Sequence, residues 1–299
     1  MNPFLFVLLL KQERDDIMLI SEAMEKGRIE LKSNNIELPK LKSRLLMQYV
    51  LGQNRQYVIV HDDEKLEKNM EEKYFANIKK IKEGTPIEHI THQKEFMKLN
   101  FYVDSDVLIP RQDTEILVEE VIDIARQINA KRILDLCTGS GAIAVSLAKY
   151  LPNVEVTASD ISKNALEIAN KNAIANEVKD RVNFIQSDLF ENIIPEKYDI
   201  IVSNPPYIKR KEIKKLDAQV KKEPNIALDG GIDGLDFYKS IISDAYLYLK
   251  YGGYLCFEIG FDQRKEVQNL IEQNSEYYKH TYSKKDLYDK DRIVVTRLL

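Results

Sequence analysis

The first candidate site is a short polar stretch that follows an apolar run. Residues 203–207 read SNPPY and come directly after YDIIV at 198–202. Proline has no N–H to donate to a neighbouring strand, so the two prolines predict that a buried strand ends here in a rigid loop. The Asn204 side-chain oxygen and the Pro205 carbonyl can each accept one N–H bond, and Tyr207 can stack on a planar group. The stretch predicts a site for a planar group that carries an amide or amino nitrogen.

A glycine-rich turn upstream predicts a second, nucleotide-like ligand. The segment ILDLCTGSGAIA at 133–144 places Gly139 and Gly141 at the end of another apolar run. Glycines at such a turn let the backbone approach a ligand at the N-terminus of the following helix. The spacing also matches the fingerprint of dinucleotide-binding enzymes, and a purely structural glycine turn is a further alternative.

Two acidic residues follow the next two predicted strands. Asp160 lies about 20 residues after the glycine turn, the spacing at which a carboxylate accepts hydrogen bonds from ribose hydroxyls. Its alternative role is to cap a helix that begins near Ser162. Asp188, in QSDLF, offers an acceptor for an adenine amino group. Because the carboxyl ends of parallel strands meet at one edge of an open sheet, we expect these groups to lie together.

The residues after the fourth predicted strand favour S-adenosylmethionine over a nicotinamide cofactor. A nicotinamide enzyme has no need for Asn-Pro-Pro-Tyr at a strand end, whereas methyl transfer from S-adenosylmethionine to an amide or amino nitrogen does. Such a nitrogen is a poor nucleophile because its lone pair is delocalised. Two acceptors for its N–H groups would aim the lone pair at the methyl group, and positioning of this kind contributes on the order of 7–11 kcal/mol. No strong base is needed, since the sulfonium charge is neutralised as the methyl leaves.

The elements that position these residues fall into four predicted segments. Residues 1–17 contain the apolar FLFVLLL, which is too short to cross a bilayer, and we interpret them as an appendage dispensable for stability and activity. Residues 18–83 show helical spacing and predict a small helical domain. Residues 84–111 mix turn residues with short β-prone runs and predict a hairpin linker. Residues 112–299 alternate strands with helices and predict a parallel α/β sheet, with DRIVVTRLL as a final edge strand.

Composition and charge exclude several classes of protein. The chain has 299 residues, of which 44% are hydrophobic and 31% charged, and no membrane partner is predicted. The formal charge of −4 and the pI near 5.8 make nucleic acid an unlikely partner. Cys137 and Cys256 form no CxxC pattern, which is typical of a reducing cytosol and predicts a cytoplasmic location. His89 and His92 have metal-like spacing without a convincing third ligand, so no metal is predicted.

In their order and spacing, these motifs resemble a known family. The sequence resembles the class I S-adenosylmethionine-dependent methyltransferases and, more closely, the peptide chain release factor glutamine N5-methyltransferases. The resemblance begins at about Met18 and covers nearly the whole remaining chain. It rests on the segments GTPIEHITHQKEF, LIPRQDTEILVE, ILDLCTGSGAIA, SNPPYI, EPNIALDGGIDGLDFY and GGYLCFEIGFDQ. One departure is Gln112, where the family commonly has proline, and we expect it to alter loop stiffness rather than chemistry.

The resemblance implies a fold and an activity. The fold is α/β, a Rossmann-like class I methyltransferase sheet with a small N-terminal helical domain and a β-hairpin linker. The implied reaction moves a methyl group from S-adenosylmethionine, leaving S-adenosylhomocysteine, to the side-chain nitrogen of the glutamine in the Gly-Gly-Gln loop of class 1 release factors. The helical domain, residues 18–83, would dock this protein substrate.

The resemblance also implies site residues. Asp188, which follows the third predicted strand, is added to them from the residue pattern. The cofactor contacts are then Cys137, Thr138, Gly139, Ser140, Gly141, Asp160, Asp188, Leu189 and Asn204. The catalytic residues are Asn204, Pro205 and Tyr207, and Pro206 joins them in binding the substrate glutamine.

Two segments near the motifs have open interpretations. Arg111 and Glu115 either pair with each other at the start of a helix or belong to a linker loop that closes over the cofactor, with residues 108–110 as its apolar lid. The Lys-rich segment 209–222 is either a solvated face or a surface that steers an acidic partner or a nucleic acid.

Two other functions remain as alternatives. A methyltransferase for the exocyclic amine of adenine N6 or guanine N2 would hold a flipped base in the same geometry. The acidic balance and the lack of a recognisable target-reading module argue against it. A module that binds a release factor or the cofactor without turnover is the second alternative, and the set of Gly139, Gly141, Asp160 and Asn204 argues against it.

Overall fold

The computed structural model describes residues 18–299, and these residues fall into two units. One unit ends at Thr91, and the other covers His92–Leu299. Each unit has its own hydrophobic core. The predicted appendage, residues 1–17, lies outside the described residues.

The first unit is built from helices. They are α1 (Ile20–Ser33), α2 (Pro39–Leu51), α3 (Arg55–Val60), α4 (Lys68–Lys82) and α5 (Ile87–Thr91). Apolar residues recur every three or four positions, so one face of each longer helix is apolar. Leu31, Leu46 and Ile78 are completely buried in the core that these faces form. The first turn of α2 begins with Pro39, whose fixed φ suits this position, and Gly52 ends the helix in the left-handed conformation.

The border between the units lies beyond residue 83, the predicted end of the helical domain. The additional helix α5 belongs to the first unit because Ile87 and Ile90 are buried in its core. A hairpin of β1 (Lys94–Phe96) and β2 (Leu99–Phe101) lies inside the predicted linker and belongs to the second unit.

The second unit contains a seven-stranded sheet. Its strands are β3 (Arg132–Leu136), β4 (Glu155–Asp160), β5 (Val182–Gln186), β6 (Tyr198–Ser203), β7 (Leu249–Glu258), β8 (Tyr278–Lys285) and β9 (Asp291–Leu298). They lie in the order β5-β4-β3-β6-β7-β9-β8. Neighbours from β5 to β7 are parallel, and β9 and β8 continue the sheet in antiparallel pairs. The predicted Rossmann-like α/β sheet is confirmed.

Helices cover both faces of this sheet. They are α6 (Thr114–Ile128), α7 (Ala142–Tyr150), α8 (Lys163–Ala175), α9 (Arg210–Ile213), α10 (Asp236–Asp244) and α11 (Arg264–Glu272). Short 3₁₀ helices span Lys179–Arg181, Val220–Lys222, Asn225–Ala227 and Ala245–Leu247. Successive strand residues point to opposite faces. Ile133 and Ile200 accordingly share one buried cluster with α6 and α7, while Leu134 and Ile201 share the other with α10 and α11.

The C-terminal strand does not lie at the edge of the sheet. The prediction of a final edge strand from DRIVVTRLL is wrong in this respect, because β9 lies between β7 and β8. Ile293, Val294 and Val295 are all completely buried, so both faces of β9 are covered, as in an interior strand. The edge strand on this side of the sheet is β8, whose sequence YKHTYSKK has too few apolar residues to predict a strand.

The strand order brings the two main motifs side by side. The chain runs from β3 outward to β4 and β5, and then from β6 outward to β7 on the other side, so the direction reverses between β3 and β6. Open α/β sheets bind ligands at the carboxyl ends of the strands at such a point. The segment 137–141 follows β3, and the segment 204–207 follows the adjacent β6.

In residues 18–299, no helix combines the length and the apolar character that crossing a bilayer requires. The cytoplasmic location stays a prediction.

Candidate active site

A pocket lies at this edge of the sheet and contains about 930 Å³ of empty space, including its opening to solvent. The predicted site residues that line it are Cys137, Thr138, Gly139, Ser140, Asp160, Asp188, Leu189, Asn204 and Pro206. Within residues 18–299, the lining does not include the predicted residues Gly141, Pro205 and Tyr207. The structure therefore brings the ends of four neighbouring strands, β3 to β6, to one cavity.

The glycine turn has a backbone that needs glycine. Gly141 caps the N-terminus of α7 with φ +79°, and a Cβ there would lie 2.9 Å from the Cβ of Ala169 in α8. A side chain at this position would both strain the backbone and collide with the next helix. Gly139 has φ +55°, and apart from its chain neighbours no atom of the described residues lies within 4 Å of the place where its Cβ would stand. The turn thus packs tightly on one side and leaves open space on the pocket side.

Asp160 holds the glycine turn at the end of β4. Its Oδ2 accepts the Gly139 N–H at 2.8 Å, and its Oδ1 accepts the Ser162 N–H at 2.9 Å. The cap of α8 is Ser162 itself, whose hydroxyl accepts the Ala165 N–H, so the alternative of Asp160 as the cap is wrong. Burial raises the pKa of Asp160, although the backbone N–H donors oppose that rise. Each carboxylate oxygen can accept a second bond, which leaves capacity for a ligand hydroxyl.

A second carboxyl supports the same turn from inside the sheet. Asp135, completely buried in β3, accepts the Thr138 hydroxyl at 2.6 Å and the Ala144 N–H at 3.2 Å through Oδ2. Burial raises the pKa of Asp135 to about 7. Two carboxyl groups therefore hold the turn between β3 and α7, that of Asp135 inside the sheet and that of Asp160 at the pocket.

Asn204 belongs to a chain of hydrogen bonds that ends on a buried carboxylate. Its Nδ2 donates to Thr114 Oγ1 at 3.3 Å, and Thr114 Oγ1 in turn donates to Glu258 Oε2 at 2.5 Å. The Tyr207 hydroxyl donates to the other oxygen, Glu258 Oε1, at 3.3 Å. Two of the predicted catalytic residues are thus connected through the end of β7 and the start of α6.

The loop that carries the motif is supported along its backbone. Gln263 Nε2 donates to the Tyr207 carbonyl at 3.0 Å. Gly230 lies so close that a Cβ on it would be 2.7 Å from Tyr207 Cα and 2.8 Å from the Pro206 carbonyl oxygen. Pro205 is buried. The backbone that follows Asn204 is therefore held in place.

An ion pair joins two loops that both line the pocket. Arg111 Nη2 lies 2.6 Å from Glu223 Oε1, and the Ile109 N–H donates to Glu223 Oε2 at 3.2 Å. Glu115 instead accepts the Met97 N–H at 2.6 Å and so holds the hairpin turn. The alternative in which Arg111 pairs with Glu115 is wrong, because their side chains have different partners. The pocket lining includes Leu108, Pro110, Arg111, Pro224 and Ile226 from these loops.

No metal centre is found in the part of the chain that the structure describes, residues 18–299, since no group of three or more His, Cys, Asp or Glu side chains is placed to hold an ion. His92 lies with Nδ1 3.2 Å from the Val103 carbonyl oxygen.

Two family models match the chain. The PrmC N-terminal domain matches residues 22–91, and the methyltransferase small domain matches residues 112–225. The release factor glutamine methyltransferase of Clostridium acetobutylicum is 44% identical over 281 residues, which cover 93% of this chain and 98% of that relative. The enzyme of the same name from Clostridium botulinum is 38% identical over 283 residues, which cover 94% and 99%. The chain belongs to the release factor glutamine methyltransferase family.

A solved structure supports the fold of this release factor glutamine methyltransferase family member. The hMettl16 catalytic domain, determined in complex with MAT2A 3'UTR hairpin 6, is similar with a TM-score of 0.55 and 16% identity. The similarity covers 70% of this chain and 79% of that one. With the family match, it confirms the predicted class I methyltransferase fold.

Three residues of the site in this family member were not predicted from the sequence. Thr114, Glu223 and Glu258 are all buried or nearly so and hold groups that line the pocket. One signal was present for Glu258, which is a carboxylate inside the apolar run YLCFEI at a predicted strand end. Thr114 and Glu223 carry no comparable signal, because the partners that connect them to the site lie 90 or more positions away along the chain.

Proposed function

We propose that this protein transfers a methyl group from S-adenosylmethionine to the side-chain amide nitrogen, N5, of the glutamine in the Gly-Gly-Gln loop of class 1 peptide chain release factors. The observation that carries the proposal is the position of Asn204 and Pro206 in the lining of the same pocket as the glycine turn and Asp160. Membership of the release factor glutamine methyltransferase family supports the choice of substrate.

The residues of the pocket are suited to S-adenosylmethionine. Gly139 leaves open space beside its backbone, as a closely approaching ligand requires. Asp160 and Asp188 place carboxylates at the ends of two neighbouring strands, where they can accept ribose hydroxyls and an adenine amino group. The apolar side chains of Leu108 and Leu189 offer contacts for the faces of the ligand. When bound, S-adenosylmethionine supplies an electrophilic methyl group on a positively charged sulfur.

The protein's contribution to the reaction is to orient a weak nucleophile. The Asn204 Oδ1 and the Pro205 carbonyl would each accept one N–H of the substrate amide, and Tyr207 would stack on the amide plane. Held in this way, the nitrogen presents its lone pair to the methyl carbon rather than sharing it fully with its own carbonyl. As the nitrogen bonds to the methyl carbon, the bond between that carbon and sulfur breaks and S-adenosylhomocysteine is left. The nitrogen then loses one proton to water, so no residue has to act as a strong base.

A methyl-transfer assay with labelled S-adenosylmethionine tests the proposal. A release factor, its Gln→Ala variant in the Gly-Gly-Gln loop, and a mixed pool of DNA and RNA are offered in parallel. We expect label on the wild-type factor alone. Label on nucleic acid alone would replace the proposal by the exocyclic-amine alternative, and cofactor binding without label on any substrate would favour a non-catalytic module.

A further inference from the structure

Glu258 is a buried carboxylate that touches neither the substrate nor the cofactor in the proposed reaction. It ends β7, is 1% exposed, and uses both oxygens as acceptors, one for Thr114 and one for Tyr207. A carboxylate inside a protein is unfavourable unless donors satisfy its oxygens, so these two hydroxyls are held firmly to it. Thr114 lines the pocket, and Tyr207 lies in the same loop as Asn204, three positions further along the chain.

The hydroxyl of Thr114 connects Glu258 to Asn204 by two hydrogen bonds. A hydroxyl has a single proton, and Thr114 gives that proton to Glu258 at 2.5 Å. Its oxygen can then only accept, and it accepts from Asn204 Nδ2 at 3.3 Å. The reverse orientation of the Asn204 amide would bring two acceptors together without a proton between them. The carbonyl end, Oδ1, is therefore the end of the amide that remains for another donor.

We propose that Glu258 is a positioning residue that acts through Thr114 to turn the Asn204 carbonyl towards the substrate amide, and that holds the Tyr207 ring through its hydroxyl. The inference deepens the proposed function and rests on it for the identity of the substrate. Only a carboxylate can accept from both hydroxyls at once, because a glutamine side chain has one acceptor and one donor group.

Protonation of Glu258 is expected to disturb the same arrangement. The charged and titratable groups that face its carboxyl are Asp113, next to Thr114, Tyr207 after β6, and Arg292 on β9. Burial raises the pKa of Glu258 to about 7, with Arg292 opposing and Asp113 adding to that rise. Tyr238 of α10 donates to the Glu258 main-chain oxygen and leaves the carboxyl free for the other donors.

A protonated carboxyl carries a donor of its own and can no longer accept from both hydroxyls. The transfer rate should therefore fall below about pH 7, by about tenfold for each further unit of pH until it reaches the level of the Glu258→Gln variant. Asp135, the buried carboxyl behind the glycine turn, also has a pKa raised to about 7. The fall in transfer rate below about pH 7, the acidic limb of the pH profile, is therefore assigned to Glu258 only if this fall disappears when Glu258 is changed.

The variants Glu258→Gln and Thr114→Val test the two links. We expect each to lower kcat roughly 10- to 100-fold, the cost of a misaligned reacting group, with affinity for S-adenosylhomocysteine close to wild type. Thr114→Ser keeps the hydroxyl and should retain most of the rate. Glu258→Gln should also lose the acidic limb of the pH profile.

Glu120→Gln is the matched control. Glu120 lies on α6 like Thr114, is 6% exposed, and accepts a tyrosine hydroxyl, that of Tyr282, at 2.5 Å. Like Glu258 it is a buried carboxylate that accepts a tyrosine hydroxyl, although its other oxygen pairs with Lys284. It lies outside the pocket, so the kcat and pH profile of Glu120→Gln should match wild type.

A second readout does not depend on activity. In ¹⁵N-edited spectra the Asn204 side-chain NH₂ signal, assigned by its loss in Asn204→Ala, should shift with a midpoint near pH 7 in the wild-type protein. The shift should be absent in Glu258→Gln and in Thr114→Val. This measurement remains valid if Glu258→Gln is poorly folded, because Thr114→Val tests the same link.

Wild-type kcat and an unchanged acidic limb in Glu258→Gln, or an Asn204 signal that titrates normally in Thr114→Val, would overturn the inference. If the wild-type protein does not label a release factor at all, the proposed function fails instead. The Asn204 signal then still reports whether Glu258 controls the side-chain amide.

Discussion

At the scale of single residues, Asn204 is the group on which the proposed reaction depends most. We expect Asn204→Ala to lower the single-turnover rate of methyl transfer by about 100-fold or more, because the substrate nitrogen loses one of the acceptors that orient it. Binding of S-adenosylhomocysteine, measured by calorimetric titration, should change much less. Asn100→Ala, the same change at an exposed position of β2, serves as the control. Near-wild-type turnover in Asn204→Ala would show that the role assigned to Asn204 is wrong.

At the scale of elements, the linker and the loop after α9 are joined over the pocket by Glu223. Its carboxylate binds both the Arg111 guanidinium and the Ile109 N–H, while the residues around each partner line the pocket. Removing the charge of such a buried acceptor weakens hydrogen bonds worth about 1.5–3 kcal/mol each. Glu223→Gln should therefore raise the dissociation constant for S-adenosylhomocysteine about tenfold or more.

The matched control for Glu223→Gln is Glu212→Gln, which removes a carboxylate paired with Lys215 on the surface nearby. An exposed pair of this kind contributes little because water screens it, so cofactor-product binding should not change. Equal affinities in the two variants would show that the ion pair between Arg111 and Glu223 does not hold the loops over the ligand.

The Lys-rich segment 209–222 is partly neutralised by its surroundings. Lys209 Nζ lies 3.2 Å from Asp262 Oδ2, and Arg210 Nε lies 2.9 Å from Asp229 Oδ2. Lys215 Nζ lies 2.9 Å from Glu212 Oε2. These contacts favour the solvated-face interpretation for this segment. Steering of an acidic partner stays a prediction.

At the scale of the whole molecule, two buried carboxyls make stability depend on pH. Asp135 and Glu258 have folded-state pKa values of about 7, above the ordinary values of 3.8 and 4.5. The folded state therefore keeps these protons where the unfolded chain has lost them, and their contribution is lost as the pH rises through about 7. We expect the free energy of unfolding to be lower at pH 8 than at pH 5, by on the order of 3 kcal/mol per group.

Urea unfolding at several pH values measures this dependence, with Asp135→Asn and Glu258→Gln as the diagnostic variants. Each should reduce the slope between pH 5 and 8, since a neutral amide does not titrate. Below pH 4 the opposite trend is expected, because the hydrogen bond from Arg292 lowers the pKa of Asp286. A flat profile in the wild-type protein would contradict the prediction. Stability and activity should thus favour opposite sides of pH 7.

The helical unit, which ends at Thr91, is predicted to dock the protein substrate. The second unit has its own core and carries the whole pocket lining, so we expect a chain of residues 92–299 to bind S-adenosylhomocysteine nearly as well as the full protein. Its kcat/KM for a folded release factor should fall about tenfold or more, through a higher KM. A short peptide containing Gly-Gly-Gln should be methylated equally by both forms. An unchanged preference for the folded factor would contradict the docking role.

Local signals predicted many of the residues that line the pocket. The glycine turn, Asp160 and the Asn-Pro-Pro-Tyr stretch each follow an apolar run, and parallel strands bring such ends to one edge. The same rules failed for β8, where few apolar residues indicate a strand, and for the position of β9 within the sheet. The family match agrees with what these motifs indicated.

The sequence by itself determined which residues meet at the edge of the sheet, because turn geometry and strand periodicity act over a few residues. Only the tertiary structure decided how those residues are held. Asn204 and Thr114 are 90 positions apart, and Thr114 and Glu258 are 144 apart. No local pattern records such a contact, since it depends on the order of the strands and on the packing of α6 against the sheet. The orientation of the Asn204 amide is therefore a property of the folded molecule.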